Sequence, residues 1–282
     1  MTTTTVLPPA GPTDPPAASP RIAHVPHRND AAAVVRHTLT LTWRSLVKLK
    51  KQGEQLIDLT LQPVLFLVMF VYLFGGAIEG STHDYLQFVL PGILVQSVVF
   101  ASVGTGVGLC TDMATGVFDR FRSLPISRFA PLAGTVLGDV LRFLVAVTSV
   151  FVFGSIIGFR FRTNVFAVAA AVGLVLVFAF ALCWVVGLLG VTMKQPRSVQ
   201  GVSFLLMFPL TFGSNLFAKT STMPGWLQAW VKVNPITELT SACRGLLTGG
   251  PVAQHATVAL IWSAGLMIVF IPLTIRAYNR RA

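Results

Sequence analysis

Long apolar segments dominate the chain after residue 58, and short polar stretches separate them. In chain order, these segments occupy residues of about 59–77, 88–110, 132–157, 165–191, 199–217 and 257–275. An α-helix needs about 17–25 apolar residues to cross the hydrocarbon core of a membrane. The pattern therefore predicts an all-α membrane protein with six transmembrane helices. The segment at 199–217 is the weakest prediction, because it is short and contains Pro209, Gly213 and Asn215.

The N-terminal part of the chain contains no such segment. Residues 1–29 are rich in Thr, Pro and Ala and have little to bury, so they predict a disordered cytoplasmic tail. They also lack the basic and apolar regions that mark a cleavable signal peptide. Residues 31–52 predict an amphipathic helix that lies on the cytoplasmic membrane surface, or alternatively packs on a soluble partner. Its candidate interfacial residues are Arg36, Trp43, Arg44 and Lys48.

The stretch between the fifth and sixth segments, at about 218–256, is too long for a simple turn and too broken to span twice. Two tryptophans followed by an Asn-Pro break predict a re-entrant or interfacial helical hairpin near the outer leaflet, since tryptophan is enriched at membrane interfaces. The candidate hairpin residues are Trp226, Trp230, Asn234, Pro235, Glu238 and Arg244.

Composition and charge agree with a lipid environment. Only 11% of the residues are charged, against about 25% in soluble domains, so the chain could not cover the surface of a soluble protein. The net charge of +11 does not indicate nucleic acid, because the basic residues lie between the apolar segments. With the N-terminus inside, fifteen lysines and arginines fall in cytoplasmic stretches and five in outer ones. This bias predicts that both chain ends lie in the cytoplasm.

The candidate chemistry argues against an enzyme. The best match to a phosphate-binding loop is residues 213–220, but Ala218 stands where the second glycine is required. Three scattered cysteines and isolated histidines predict no metal site. We therefore expect a non-catalytic subunit without a cofactor of its own, which cannot hydrolyse ATP by itself.

Two ionisable residues lie within the third apolar segment. Asp139 and Arg142 are three residues apart, so they share one helix face. This intramembrane polar pair is either a polar element of a transport path or a local ion pair that orients the helix, and we favour the second because each charge already has a partner. Gln62 and Gln96 are polar groups that could form hydrogen bonds between helices.

The loop after the second segment combines aromatic and basic residues and ends at Leu124-Pro125. A loop that only sets topology needs no phenylalanines, so Phe118 and Phe121 indicate contacts with a partner protein. At this loop the chain resembles the permease subunits of type-2 ATP-binding-cassette (ABC) exporters, close to the daunorubicin-resistance permease group. The resemblance rests on F-D-R-F-R-S-L-P-I-S-R at 118–128, P-x-x-x-x-x-M-F-x-Y-x-F-G-G at 63–76 and W-L-Q-A-W-V-K-V-N-P-I-T-E-L at 226–239, followed by Arg244-Gly245.

The resemblance covers nearly all of the chain from about residue 35 and implies one transmembrane domain at 30–282. It implies a homodimer in a bacterial inner membrane, bound to two separately encoded ATP-binding subunits that use ATP and Mg. It also implies that the amphipathic helix and the loop after the second segment dock on those subunits. The coupling residues carried over are Phe118, Asp119, Arg120, Phe121, Arg122, Leu124 and Pro125.

The expected function is export of an amphipathic drug, antibiotic or similar metabolite along a path at the dimer interface, lined by the first, second and fifth segments. Export of a lipid or glycolipid is an alternative. A structural or signalling membrane protein without cargo is a less favoured one. No nucleic acid is expected as a partner.

Overall fold

The computed structural model describes residues 53–116 and 130–281, which form helices and connecting segments with no strand among them. The helices are α1 (Gly53–Glu79), α2 (Thr82–Ala114), α3 (Ala130–Ile157), α4 (Val165–Thr192), α5 (Pro196–Phe212), α6 (Gly225–Val233), α7 (Pro235–Thr248) and α8 (Ala253–Arg281), with a 3-10 turn at Thr220–Thr222. The all-α prediction is confirmed for this part of the chain. The predicted tail 1–29, amphipathic helix 31–52 and coupling residues 118–125 lie outside the described residues.

Five of the described helices are long and apolar enough to cross a membrane. The spanning stretches are Leu59–Ile78, Thr82–Ala114, Gly138–Ile157, Val165–Thr192 and Ala253–Arg280. Helix α5 has 17 residues and therefore a length of about 26 Å, somewhat less than the roughly 30 Å of a hydrocarbon core. Residues 53–116 and 130–281 thus contain five helices of spanning length and one shorter apolar helix.

The predicted end of the fifth segment at residue 217 was wrong. Helix α5 ends at Phe212, where the Gly213 amide donates to the Pro209 carbonyl at 2.9 Å and the chain leaves helical geometry. Glycine, serine and asparagine follow in sequence, and all three are poor helix formers. The apolar run continues to Phe217, so hydropathy alone overestimated the length of this helix.

Helix α2 lies at the centre of the bundle and is buried along most of its length. It contacts α1, α3, α4, α5 and α7, whereas α8 packs mainly on α4 and α7. Only Gly80 and Ser81 separate α1 from α2, so these two helices are antiparallel neighbours. Large apolar side chains of α1, α5 and α8 are exposed, as expected for helices that face lipid or another subunit.

Two glycines allow α2 and α4 to touch backbone to backbone. A Cβ atom on Gly190 would overlap the Gly106 carbonyl oxygen, and one on Gly106 would lie 2.5 Å from the Val186 carbonyl oxygen. Small residues at such crossings are typical of packed membrane helices. This contact holds α2 against α4. Helices α2, α3 and α4 together then position the polar residues described next.

Candidate functional site

A buried polar cluster joins α2, α3 and α4. The Asp139 carboxylate of α3 contacts Arg142 Nη1 at 3.0 Å through one oxygen and accepts the Thr105 hydroxyl of α2 at 2.5 Å through the other. The Cys183 sulfur of α4 lies 3.3 Å from the same hydroxyl. The Thr105 hydroxyl has one hydrogen, which it donates to Asp139. In the contact between Thr105 and Cys183, the thiol is therefore the donor and the hydroxyl oxygen the acceptor. Both carboxylate oxygens of Asp139 are therefore engaged.

Helix α2 leaves space for the Arg142 side chain at Gly104. A Cβ atom at that position would overlap both terminal nitrogens of the guanidinium group. The Nε atom of Arg142 is buried and has no hydrogen-bond partner among the described residues. Arg142 is thus held by Asp139 on one side and accommodated by Gly104 on the other, and its buried Nε donor is uncommitted.

Arg142 also lines a cavity of about 230 Å³ between α1, α2, α3 and α5. Polar and aromatic side chains share its lining, a mixture that is typical of small-molecule sites. The polar residues of the lining are Gln62, Gln96, Ser97, Arg142 and Gln200, and the aromatic ones are Phe66, Phe100 and Phe204.

Gln96 is the most deeply buried amide of this lining, with 2% of its surface exposed. Neither its nitrogen nor its oxygen has a hydrogen-bond partner in the part of the chain that the structure describes. The hydrogen bond between helices that this residue could form is therefore absent among the described residues, and its buried amide is left unpaired there. Gln62 is exposed on α1 at the cavity.

The cavity lies toward one end of the bundle. The Tyr85 hydroxyl near the start of α2 donates to the Phe217 carbonyl beyond the end of α5 at 3.0 Å, so these two helices run in opposite directions. The lining residues come from the first halves of α1, α3 and α5 and from the middle and second half of α2. They therefore lie toward the end from which the chain enters the predicted coupling loop.

Phenylalanine rings continue from the cavity toward the other end of the bundle. The Phe66 ring stacks on Phe70 with 6.0 Å between centroids, and Phe70 stacks on Phe217 at 4.1 Å. Phe217 in turn stacks on Phe212 at 5.1 Å, and Phe212 on Phe208 at 4.2 Å. Rings of α1, α5 and the following segment thus form one continuous aromatic surface.

At that other end, Asn234 joins three pieces of the chain. Its side-chain oxygen accepts the Ile236 amide at 2.9 Å and so caps α7, in which Pro235 is the first residue. Its side-chain nitrogen donates to the carbonyls of Leu210 and Gly213 at 2.7 and 3.0 Å, at the end of α5. These carbonyls lack helical partners because α5 stops there.

Arg244 and Glu238 connect α7 to its neighbours. The Arg244 guanidinium donates to the Phe88 carbonyl at 3.1 Å and to the Asn215 carbonyl at 3.2 Å, and lies 3.9 Å from the centre of the Phe88 ring. The Glu238 carboxylate lies 2.7 Å from His255 Nδ1 of α8. On α6, Trp226 and Trp230 expose 74% and 47% of their surface. The six predicted hairpin residues thus lie on two short helices joined at Asn234.

The cysteines show no sign of reactive or metal-binding chemistry. Cys110, Cys183 and Cys243 are free and buried. Burial raises the pKa of the Cys243 thiol to about 12, against a smaller opposing effect of Arg244, so this thiol is neutral at physiological pH. Within residues 53–116 and 130–281, no group of three or more His, Cys, Asp or Glu side chains could hold a metal ion.

Sequence reasoning identified Asp139, Arg142, Gln62 and Gln96 but missed the residues that surround them. From the sequence alone, Thr105 and Gly104 of α2 look like ordinary helix-packing positions in an apolar segment. Gln200 had a detectable signal, because an amide near the start of an apolar helix is unusual. The phenylalanines of the lining had none, since aromatic residues are frequent throughout the apolar segments.

Several long apolar helices around a buried polar cluster define an integral, multi-pass membrane protein. Residues 36–248 match the family model of the ABC-2 type transporter, and the chain belongs to this family of transporter permeases. Membership implies a partner subunit that carries an ATP-binding cassette.

The relatives agree with this assignment. The chain is 45% identical over 250 residues to the daunorubicin resistance ABC transporter permease protein DrrB1 of Streptomyces coeruleorubidus, covering 89% of this chain and 88% of the relative. It is 28% identical over 255 residues to the probable doxorubicin resistance permease DrrC of Mycobacterium tuberculosis, covering 90% and 92%. It is 27% identical over 222 residues to the inner membrane transport permease YadH of Escherichia coli, covering 74% and 81%.

Proposed function

We propose that this permease is the transmembrane subunit of an ATP-driven exporter that moves an amphipathic drug, antibiotic or similar metabolite out of the cell. The observation that carries the proposal is the cavity with amide, guanidinium and aromatic groups in its lining. Such a lining suits a molecule with both apolar and polar parts. The names of the similar permeases, which refer to resistance against daunorubicin and doxorubicin, support a drug as cargo.

The proposed topology has six spans with both chain ends in the cytoplasm. Helix α5 is the fifth span, and its exposed apolar side chains fit a helix that faces lipid or the second protomer. The basic residues support this topology: an even number of spans is needed to keep the basic residues between α2 and α3 and those at the end of α8 on one side. Helices α6 and α7 then form an outer re-entrant hairpin, with Trp226 and Trp230 at the interface.

The proposed assembly is a homodimer of this chain with two copies of an ATP-binding subunit. The exposed apolar side chains of α1 and α5, the helices that line the cavity, support a second copy, because they need lipid or another protein to cover them. ATP and Mg are used in the partner subunit, and this chain is non-catalytic. Its coupling residues are Phe118, Asp119, Arg120, Phe121, Arg122, Leu124 and Pro125.

The deciding experiment is coexpression of the chain with its ATP-binding partner, followed by reconstitution into sealed vesicles. We expect ATP-dependent movement of amphipathic drugs, and no movement when the lysine of the partner's phosphate-binding loop is replaced. A parallel assay of lipid release addresses the alternative of a lipid or glycolipid exporter. Lipid movement without drug movement would replace the proposed function, and movement of neither would contradict both.

Coupling is tested by Phe121→Ala and Arg122→Glu in the same vesicles. We expect both variants to insert normally and to lose ATP-dependent transport, because the loop no longer contacts the ATP-binding subunit. The matched controls are Phe166→Ala and Arg160→Glu, at exposed positions between α3 and the start of α4. If copurification and transport both survive the loop variants, the docking assignment is wrong.

A further inference from the structure

Uncommitted polar groups gather on one side of the cavity. Both amide atoms of Gln96 and the Nε atom of Arg142 are buried without hydrogen-bond partners in the described chain. Unpaired polar groups in an apolar interior cost free energy, and a bound molecule that pairs them removes that cost. The adjacent amides of Gln62 and Gln200 extend the same polar surface.

Aromatic rings form the complementary part of the lining. The rings of Phe100 and Phe204 lie 5.4 Å apart between centroids, and Phe66 lines the same cavity. Aromatic rings pair favourably with one another in stacked or tilted arrangements at such distances. An aromatic ligand would therefore gain more from this wall than an aliphatic one of the same size.

The charge of the lining restricts the ligand further. Arg142 is the only charged side chain among the described residues that line the cavity. The carboxylate of Asp139 is already engaged by Arg142 and Thr105, so it is not available to a ligand cation. A positive charge on the ligand would face Arg142 without compensation.

We propose that this cavity is a binding site for small aromatic molecules that carry a hydrogen-bond acceptor and a donor and no positive charge near Arg142. Gln96 is the central recognition residue: its amide donates to the ligand acceptor and accepts from the ligand donor. Arg142 donates to the acceptor, while Phe100 and Phe204 contact the ring. This inference rests on the proposed function and deepens it, because it names the recognition chemistry and the residues.

Photolabelling tests the site without ATP hydrolysis or transport. The full-length permease in phosphatidylcholine nanodiscs is illuminated with 4-(hydroxymethyl)benzophenone, an uncharged aromatic ketone with a hydroxyl group, and labelled residues are identified by mass spectrometry. We expect saturable labelling in α1, α2 and α5 around the cavity. The analogue 4-methylbenzophenone lacks the donor and should label the cavity more weakly. An analogue with a trimethylammonium group should also label more weakly, because its charge faces Arg142.

The variant Gln96→Met separates recognition from a structural role. It keeps the size of the side chain and removes the unpaired amide, so we expect an unchanged or higher melting temperature of the ligand-free protein. The half-maximal labelling concentration should rise by about tenfold, the equivalent of one or two lost hydrogen bonds. The exposed Gln254 of α8 supplies the control, since Gln254→Met should change neither quantity. Should Gln96→Met not fold, Gln200→Met gives the same test at an exposed position of the lining.

Three results would overturn the proposal: labelling that does not saturate and spreads over all apolar helices, equal cavity labelling by all three probes, or unchanged labelling in the glutamine variants. These outcomes would remove the cavity as support for drug export, but export itself would still be decided by the vesicle assay, because another site could carry the cargo. Conversely, saturable, Gln96-dependent labelling together with failed transport in the reconstituted complex would keep the site and reject the exporter.

Discussion

The two ends of the helical bundle use their polar side chains in opposite ways. Around α7, Asn234 binds two carbonyl groups at the end of α5. Arg244 binds one carbonyl group of α2 and one of the segment after α5, so the two residues together join α2, α5 and α7. Around the cavity, Gln96 binds nothing in the described chain, and Arg142 uses only part of its donors. The first end is built to stay together, whereas the second has bonding capacity that is left for a ligand.

The difference shows why buried polar residues in a transporter cannot be assigned one role. In lipid, each unpaired polar group is costly, so an uncommitted one indicates either a function or a site that another molecule completes. Asp139 and Arg142 combine both patterns, because the ion pair is closed on the side of Thr105 and open on the side of the cavity. The following variants test this contrast, beginning with the largest expected effect.

Asp139→Leu is expected to be the most damaging single change. It leaves the Arg142 guanidinium buried without its carboxylate, which should lower the free energy of unfolding by about 3–5 kcal/mol. The double variant Asp139→Leu with Arg142→Met removes both charges and should recover most of this loss, as measured by denaturation in detergent micelles.

The double variant also decides between the two interpretations of the pair. If it folds and transports normally, the pair only orients α3 in the bundle. If it folds but loses ligand labelling, Arg142 contributes to the cavity as proposed. A double variant as unstable as Asp139→Leu would contradict the idea of a self-contained ion pair.

Asn234→Ala should cost about 2–3 kcal/mol of the free energy of unfolding, because it removes the cap of α7 and two bonds to the end of α5. Asn164→Ala, which removes only the cap of α4, is the matched control and should cost about 1 kcal/mol. Equal losses in the two variants would show that the bonds from Asn234 to α5 contribute little to stability.

Gly104→Ala tests the space reserved for Arg142. The added methyl group overlaps the guanidinium, so the end of the Arg142 side chain must shift. We expect this shift to weaken the contact with Asp139, at a cost of about 1–3 kcal/mol. Gly108→Ala, one turn further along α2, meets nothing within 4 Å and should stabilise the helix by about 0.5–1 kcal/mol. If Gly104→Ala lowers the melting temperature and Gly108→Ala raises it, the packing described is supported. Changes of the same sign in the two variants would contradict it.

The contrast between the two ends also explains what could be predicted from the sequence. Helix positions follow from apolar runs, and the Asn-Pro break at residue 234 marks a helix start by local chemistry alone. The bonds of Asn234 to α5, 21 and 24 residues away, depend on how the segments fold back and leave no local pattern. The same holds for Thr105 and Cys183, whose proximity to Asp139 is set by the crossing of three helices.

The end of α5 shows the limit of hydropathy more directly. Leu216 and Phe217 are as apolar as the helix before them, yet they follow a turn at Gly213 and pack on other helices. An apolar side chain satisfies the same burial requirement in a helix or after a turn, so its hydropathy does not report backbone conformation. The glycine and asparagine before them carried the relevant signal, since both favour helix ends.

The contact between Glu238 and His255 should contribute least. Both side chains are partly exposed, at 17% and 33%, and such pairs are worth about 0.2–1 kcal/mol. A double-mutant cycle of Glu238→Gln and His255→Ala measures their coupling, because it subtracts the effects of each residue elsewhere. A coupling within this range would place the link between α7 and α8 well below those made by Asn234. A coupling above about 2 kcal/mol would show instead that the bond from α7 to α8 is comparable in strength to the bonds of Asn234. Helix α8 would then belong to the same tightly bonded end of the bundle.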